Sequence, residues 1–185
     1  MNATALQMED LPHYTYDDYA EWEGRWEIIH GIPYAMTPAP SKKHQYLCAK
    51  IVILLGSLLE NCETCRVYMP VDWQITKDTV VQPDILVVCD DNLEDTKLTV
   101  PPVIVFEILS PATSRKDKVL KYQLYQNAGV KYYCIVDPVT SSAEVFTLGE
   151  EEKEYHRADE FQEGGISFNI GKCSFTFDFG KIFKL

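Results

Sequence analysis

Between Ser41 and about Asn61, apolar residues recur at 47, 51, 54, 55, 58 and 59. That spacing lines one face of a helix and predicts a long amphipathic helix over 41–61. Four strand-like runs follow at 66–69, 71–75, 83–89 and 103–109. Upstream, Thr15 followed by Asp18 has the form of a capping box and predicts a short helix to about residue 23. Residues 25–30 and 32–36 read as two strands folded about Gly31 in a hairpin, and the proline-containing stretch 37–41 breaks regular structure. The polar stretch 90–102 ends in Pro101-Pro102 and reads as a loop. Ser114 reads as the N-cap of a helix to about Ala128, closed by Gly129. Residues 132–136 form a buried-type strand ending at Asp137-Pro138, and runs near 143–148, 152–157 and 173–177 predict antiparallel β with a short C-terminal helical turn. Helices flanking a mixed sheet imply an α/β or α+β sandwich.

The length of 185 residues suits one domain, 1–185. With 46% hydrophobic and 24% charged residues, disordered and fibrous classes drop out. No apolar run approaches the roughly 20 residues of a membrane span. The longest candidate, 51–59, is broken by Gly56 and Ser57, and no basic region followed by an apolar stretch opens the chain. The expectation is a soluble cytoplasmic protein with no membrane partner.

Seventeen Lys and Arg against 28 Asp and Glu leave a net charge of −11. That balance opposes a large polyanion. Segment 114–121 nevertheless carries four cations and one anion, whereas Glu150, Glu151, Glu152 and Glu154 crowd a later stretch. The six cysteines at 48, 62, 65, 89, 134 and 173 read as reduced thiols in such a chain. Cys62 and Cys65 have the two-residue gap of a zinc or redox pair, but no second closely spaced Cys/His pair follows to complete four ligands. The expectation there is no zinc, only small half-buried side chains at a helix end.

Two acids interrupt apolar strand runs: Asp84 in Pro-Asp-Ile-Leu-Val-Val and Glu107 in Val-Ile-Val-Phe-Glu-Ile-Leu. A carboxylate there loses hydration and needs a cation, a hydrogen-bond partner or a proton. If 83–89 and 103–109 pair as an antiparallel hairpin with Cys89 opposite Pro102, Asp84 falls opposite Glu107. Such pairs hold their Cβ atoms about 4.5–5.5 Å apart. Two carboxylates that close repel unless a hard divalent cation sits between them. A one-residue slip would undo the pairing, and two unrelated strand-end acids are the alternative.

Pro83-Asp84, a loop, then Glu107-Ile108-Leu109 resembles the Asp…Glu-x-Lys signature of the PD-(D/E)xK restriction-endonuclease-like nucleases. The longer string Phe-Glu-Ile-Leu-Ser-Pro-Ala-Thr-Ser-Arg-Lys-Asp-Lys-Val-Leu-Lys-Tyr, with Gly129-Val130 and residues 132–138 after it, resembles the Uma-two family of restriction endonucleases. The likeness extends to Trp26-Glu27-Ile28-Ile29-His30-Gly31 and to Ser41 with His44-Gln45, and covers roughly residues 10–140. It implies a restriction-endonuclease-like mixed central sheet flanked by helices, with further antiparallel strands at both ends.

The resemblance also implies site residues. The signature wants lysine two residues after Glu107, on the same strand face, but this chain has Leu109. The helix near Ser114 is the nearest supply of a cation, and the family pattern of Asp, three residues, Lys matches Asp117 and Lys121. Lys121 is the candidate for holding a phosphate or activating a water. The competing reading is an i,i+4 helix ion pair, with Asp117 as the third position of a capping box begun by Ser114. Glu27 is implied as a further acid of the site, against a hairpin ion pair. His44 is either a water- or phosphate-orienting group or a solvated first-turn histidine. Tyr125, one turn beyond Lys121, is placed to reach the same cleft, but a packed aromatic is the favoured reading.

The leading expectation is therefore a Mg²⁺-dependent DNA endonuclease, with Mn²⁺ as substitute. Asp84, Glu107 and the Ile108 carbonyl would hold the ion, with Lys121 and Glu27 as catalytic partners. The competing readings are a non-catalytic accessory protein on the same scaffold, suggested by Leu109 and the charge, and a hydrolase of smaller phosphate-containing substrates. Cutting two strands would favour a homodimer. No Gly-x-Ser-x-Gly elbow surrounds Ser110, and no Gly-rich phosphate loop is present.

Overall fold

A computed structural model describes residues 12–36, 39–90, 92–93, 95–151 and 153–184. The N-terminal signal reading, the Thr37-Pro38 part of the expected break, and Glu152 lie outside the described residues. The strands are β1 (Trp26–Ile29), β2 (Ile32–Ala35), β3 (Cys65–Tyr68), β4 (Trp73–Thr76), β5 (Thr79–Val81), β6 (Ile85–Cys89), β7 (Ile104–Ile108), β8 (Tyr132–Asp137), β9 (Ser142–Leu148), β10 (Tyr155–Phe161), β11 (Gly165–Ile170) and β12 (Cys173–Asp178). Helices are α1 (Tyr16–Tyr19), α2 (Lys42–Leu58), α3 (Tyr122–Ala128) and α4 (Gly180–Phe183), and a π-helical turn (Lys116–Lys121) leads into α3.

The central sheet has the order β10-β9-β8-β7-β6-β3. Only β7 and β8 pair in parallel within it, and a parallel pair needs a crossover. The π turn and α3 form that crossover. Strand β7 is buried throughout, so side-chain alternation sends its residues into two separate cores. Ile104, Phe106 and Ile108 pack with Leu47, Cys48, Ile51 and Leu55 of α2 and with Phe168, Phe177, Phe179 and Ile182 from the C-terminal hairpin and α4. Val105 and Leu109 pack on the opposite face with Leu124, Tyr125 and Tyr133. A smaller sheet, β2-β1-β5-β4, closes this second face through Ile29, Trp73 and Val81. The result is the α+β sandwich with a mixed sheet that the pattern of elements implies.

Local signals account for most element ends. The Thr15–Asp18 capping box forms, but α1 stops at Tyr19, and the rings of Tyr14, Tyr19, Trp22 and Trp26 pack edge to face beyond it. Ser41 Oγ accepts the His44 amide at 3.2 Å and opens α2. The β1–β2 hairpin turns on His30 and Gly31, whose φ angles of 52° and 76° suit a two-residue turn. A Cβ at Gly31 would stand 2.3 Å from His13 Nδ1.

Two expectations need correction, and β5 was not among the expected strands. Thr79–Val81 forms β5 between β1 and β4, although three residues carry too little periodicity to announce a strand. Ser114 is itself helical and does not cap with Asp117. Ser110 Oγ accepts the Thr113 amide at 3.2 Å instead, and the Asp117 amide bonds Thr113 O. The helix interior winds as a π turn, and the i,i+4 pair of Asp117 and Lys121 forms at 3.9 Å, buried, with Lys121 also bound to Glu107 and Glu27. Four of the six cysteines are paired, Cys62 with Cys173 and Cys65 with Cys89. The partners lie 111 and 24 residues apart, so only the sheet register and the docking of β12 bring them together. Cys48 and Cys134 remain free and buried. Among the described residues no helix is long and apolar enough to cross a membrane.

Phe106 touches the rings of Phe168, Phe177 and Phe179 and ties the C-terminal hairpin to the central sheet. Phe106→Ala should cost about 3–5 kcal/mol in urea unfolding. Ile53→Ala, at a residue 72% exposed on α2, should change stability by less than about 0.5 kcal/mol. Equal losses at both positions would contradict the core assignment.

Candidate active site

The site forms where the start of β6, the end of β7, β1 of the small sheet and the π turn meet. In the β6–β7 ladder, Ile85 pairs with Phe106, Leu86 with Val105 and Val87 with Ile104. One step further the same register sets Asp84 opposite Glu107, the arrangement that a Cys89–Pro102 pairing gives. Asp84 Oδ2 accepts the Ile108 amide at 2.8 Å and lies 3.1 Å from His44 Nε2. Ile108 thus meets Asp84 through its nitrogen. The Asp84 side chain keeps 20% exposure, a route to solvent.

Glu107 is buried behind it, held by Tyr125 OH at 2.7 Å and by Lys121 Nζ at 2.9 Å, both on Oε1. Lys121, 3% exposed, also reaches Glu27 Oε1 at 2.8 Å and lies 3.9 Å from Asp117 Oδ1. Lys116 binds the other oxygen of Glu27, and the Gln82 amide donates to Oε1 at 3.0 Å. The π turn explains how two lysines share one carboxylate. Its i→i+5 bonding brings residues five apart onto one side, whereas an α-helix aligns residues three or four apart. Tyr133 OH donates to Asp117 O at 3.0 Å and pins that turn to β8.

The electrostatics follow from burial and pairing. Burial raises the Glu107 carboxyl, Lys121 offsets part of that, and Asp117, Asp84 and Glu27 push it further, to about 8. Burial likewise raises Asp117, against the pull of Lys121 and a hydrogen bond from Thr113. Glu27 goes the other way, because Lys121 and Lys116 outweigh its burial and hold it below the usual range. Burial disfavours charge on Lys121, but Glu107, Glu27 and Asp117 prevail and raise it well above a normal lysine. It stays a cation and is suited to stabilising negative charge, not to carrying protons. For His44, burial opposes charge, yet its contacts with Asp84 and Cys48 raise it to about 10.

Sequence reasoning singled out Asp84, Glu107, Lys121 and Glu27, and the structure brings them to one place. Two other residues join them. His44 is no solvated histidine but a buried partner of Asp84. Tyr125 is both packed, stacked on Trp73, and bonded to Glu107. Lys116 was legible only as one cation of a basic run, since its inward turn depends on the π winding. Half of that run is withdrawn from the surface: Lys116 and Lys121 point inward, whereas Arg115 is exposed and Lys118, 44% exposed, lies 3.6 Å from Glu144. Lys43 is engaged with the Pro138 carbonyl.

The donor set suits a hard divalent cation. Asp84 and Glu107 present carboxylate oxygens from adjacent strands. Asp117 Oδ1 is buried and accepts no hydrogen bond among the described residues, an oxygen left over for a ligand.

A solved structure described as a "putative nuclease belonging to DUF820", from Anabaena variabilis ATCC 29413, has the same fold. It superposes with a TM-score of 0.74 at 17% identity, over 92% of this chain and 97% of that one. An uncharacterized protein of Synechocystis sp. (strain ATCC 27184 / PCC 6803 / Kazusa) is 25% identical over 174 residues, 86% of this chain and 90% of the relative. Residues 14–169 match the family model Uma2, described as "Putative restriction endonuclease". The chain belongs to the Uma2 family.

Proposed function

We propose that the protein is a metal-dependent endonuclease that hydrolyses phosphodiester bonds of DNA. The observation that carries this reading is Lys121. The strand position that would ordinarily hold the lysine is Leu109, and the crossover helix delivers a buried ammonium to 2.9 Å from Glu107 instead. A cation, two facing carboxylates and a carboxylate oxygen that accepts no hydrogen bond among the described residues are parts that metal-assisted phosphoryl chemistry uses.

Asp84 and Glu107 would hold Mg²⁺ or Mn²⁺, and Asp117 Oδ1 lies in the same network, 3.9 Å from Lys121 Nζ. Bound there, the ion supplies Lewis acidity toward a phosphoryl oxygen. Lys121 neutralises charge that develops on the scissile phosphate. Glu27 is a positioning residue, because Lys121 and Lys116 occupy both its oxygens. His44 and the Ile108 amide orient Asp84. The net charge of −11 and the inward lysines leave few contacts for a polyanion, so activity belongs at low salt.

Incubated with supercoiled plasmid at low salt, the protein should nick with Mg²⁺ or Mn²⁺ and not with EDTA. Asp84→Asn and Glu107→Gln should each lower the rate at least about a hundredfold, since each removes ligand charge while nearly preserving shape. Nicking by Asp84→Asn at the wild-type rate would mean contamination and would sink the reading.

Lys121→Ala should slow nicking roughly ten- to a hundredfold while metal affinity holds, because its role is toward phosphate. Glu27→Gln should follow it, since it loosens the lysine. An affinity loss that matches the rate loss would instead place Lys121 in metal binding.

The Glu107 proton competes with the ion up to about pH 8. Calorimetric Mg²⁺ affinity should therefore rise with pH below that value, by up to about tenfold per unit for one displaced proton. Glu107→Gln should flatten the dependence, and a wild-type affinity independent of pH would contradict it.

A further inference from the structure

On the α2 side of the central sheet, away from the carboxylates, four cysteines from distant parts of the chain meet. Cys62 follows α2, Cys65 opens β3, Cys89 ends β6 and Cys173 opens β12. The Cys62, Cys65 and Cys173 Sγ atoms all lie within 4.8 Å of one another. Cys89 joins them through its bond to Cys65, which it faces across the β3–β6 ladder. The case against zinc in the sequence was the lack of a second pair to go with Cys62-x-x-Cys65. Tertiary structure supplies that pair as Cys89 and Cys173.

We propose that these four cysteines are a redox-gated metal site, closed as two disulfides when oxidised and binding one Zn²⁺ when reduced. A tetrahedral zinc with Zn–S near 2.3 Å places its sulfurs about 3.8 Å apart. Three of the sulfurs already lie within 4.8 Å of one another, at most about 1 Å beyond such an edge, and opening the two S–S bonds lets side-chain rotation complete the set. Thr64 Oγ1, 3.7 Å from Cys65 Sγ, is placed to donate to a thiolate there. The surroundings are half apolar, since Cys62, Cys89 and Cys173 pack against the α2-side core and Cys65 is part of it.

The redox step balances with a dithiol as reductant. Each disulfide takes two electrons and two protons as one dithiol closes to its own disulfide. The four resulting thiols release their protons when the thiolates bind Zn²⁺. Metal would then replace covalent bonds as the clamp among α2, β3, β6 and β12.

Co²⁺ titration of the full-length chain, before and after reduction by excess dithiol and anaerobic desalting, tests this. The reduced chain should take up one Co²⁺ with thiolate charge-transfer bands and the visible bands of a tetrahedral site, and Zn²⁺ should bleach them. The oxidised chain should show neither. Cys62→Ser and Cys173→Ser should weaken binding by at least about tenfold. Because these variants could unfold, alkylation of the reduced wild-type chain read by mass spectrometry gives a second measure. Zn²⁺ should shield Cys62, Cys65, Cys89 and Cys173 and leave labelling of Cys48 and Cys134 unchanged. Disulfides that resist the dithiol, a reduced chain without thiolate–Co²⁺ bands, undiminished binding in both serine variants, or labelling indifferent to Zn²⁺ would each overturn the proposal.

Discussion

Lys121 sits almost without solvent between Glu107 and Glu27, with Asp117 one turn behind it, and the surrounding elements are arranged to make that tolerable. Taking ions out of water costs several kcal/mol each even after relaxation. The molecule meets the cost by pairing across elements. The small sheet brings Glu27, the central sheet brings Glu107, and the crossover helix brings both lysines. Such a network is weak evidence for stability, because a well-packed apolar cluster of the same volume would often serve as well or better. A network of this kind suits the site proposed above more than it serves stability.

The π turn is the local device on which the network depends. Runs of i→i+5 bonding are rare in helices and concentrate at functional positions. Here the turn directs Lys116 and Lys121 to opposite oxygens of Glu27. It also leaves the inner oxygen of Asp117 without a donor among the described residues. Tyr133 and Tyr125 anchor the crossover on either side of it, one on the Asp117 carbonyl and the other on Glu107. Two lysines of a basic run that looks like a surface for a polyanion are thereby turned inward, toward the carboxylates that interrupt the sheet.

The two faces of the central sheet carry different chemistry because β7 alternates. Phe106 and its even-numbered neighbours serve an all-apolar core against α2 and the C-terminal hairpin, whereas the Glu107 face serves a core that ends in charged groups. The cysteine cluster lies with the first, at the far end of β6 from Asp84. Strand β6 therefore has one end at the carboxylate site and the other at the sulfur site, and its rigidity matters to both.

The class of fold, the long helix, the crossover helix and most strands follow from periodicity, since burial of one face imposes a repeat that the chain itself displays. The facing of Asp84 and Glu107 followed only from an assumed anchor pair, Cys89 opposite Pro102, and a one-residue slip would have undone it. Lys121 was legible because the resemblance matched its spacing from Asp117. Tertiary structure decided the rest. It paired Cys62 with Cys173 across 111 residues, inserted β5 between β1 and β4, buried His44 against Asp84, and wound the crossover so that Lys116 and Lys121 share Glu27. Local pattern reports which residues leave water. Which distant groups then meet depends on how whole layers pack, and no short window of sequence contains that information.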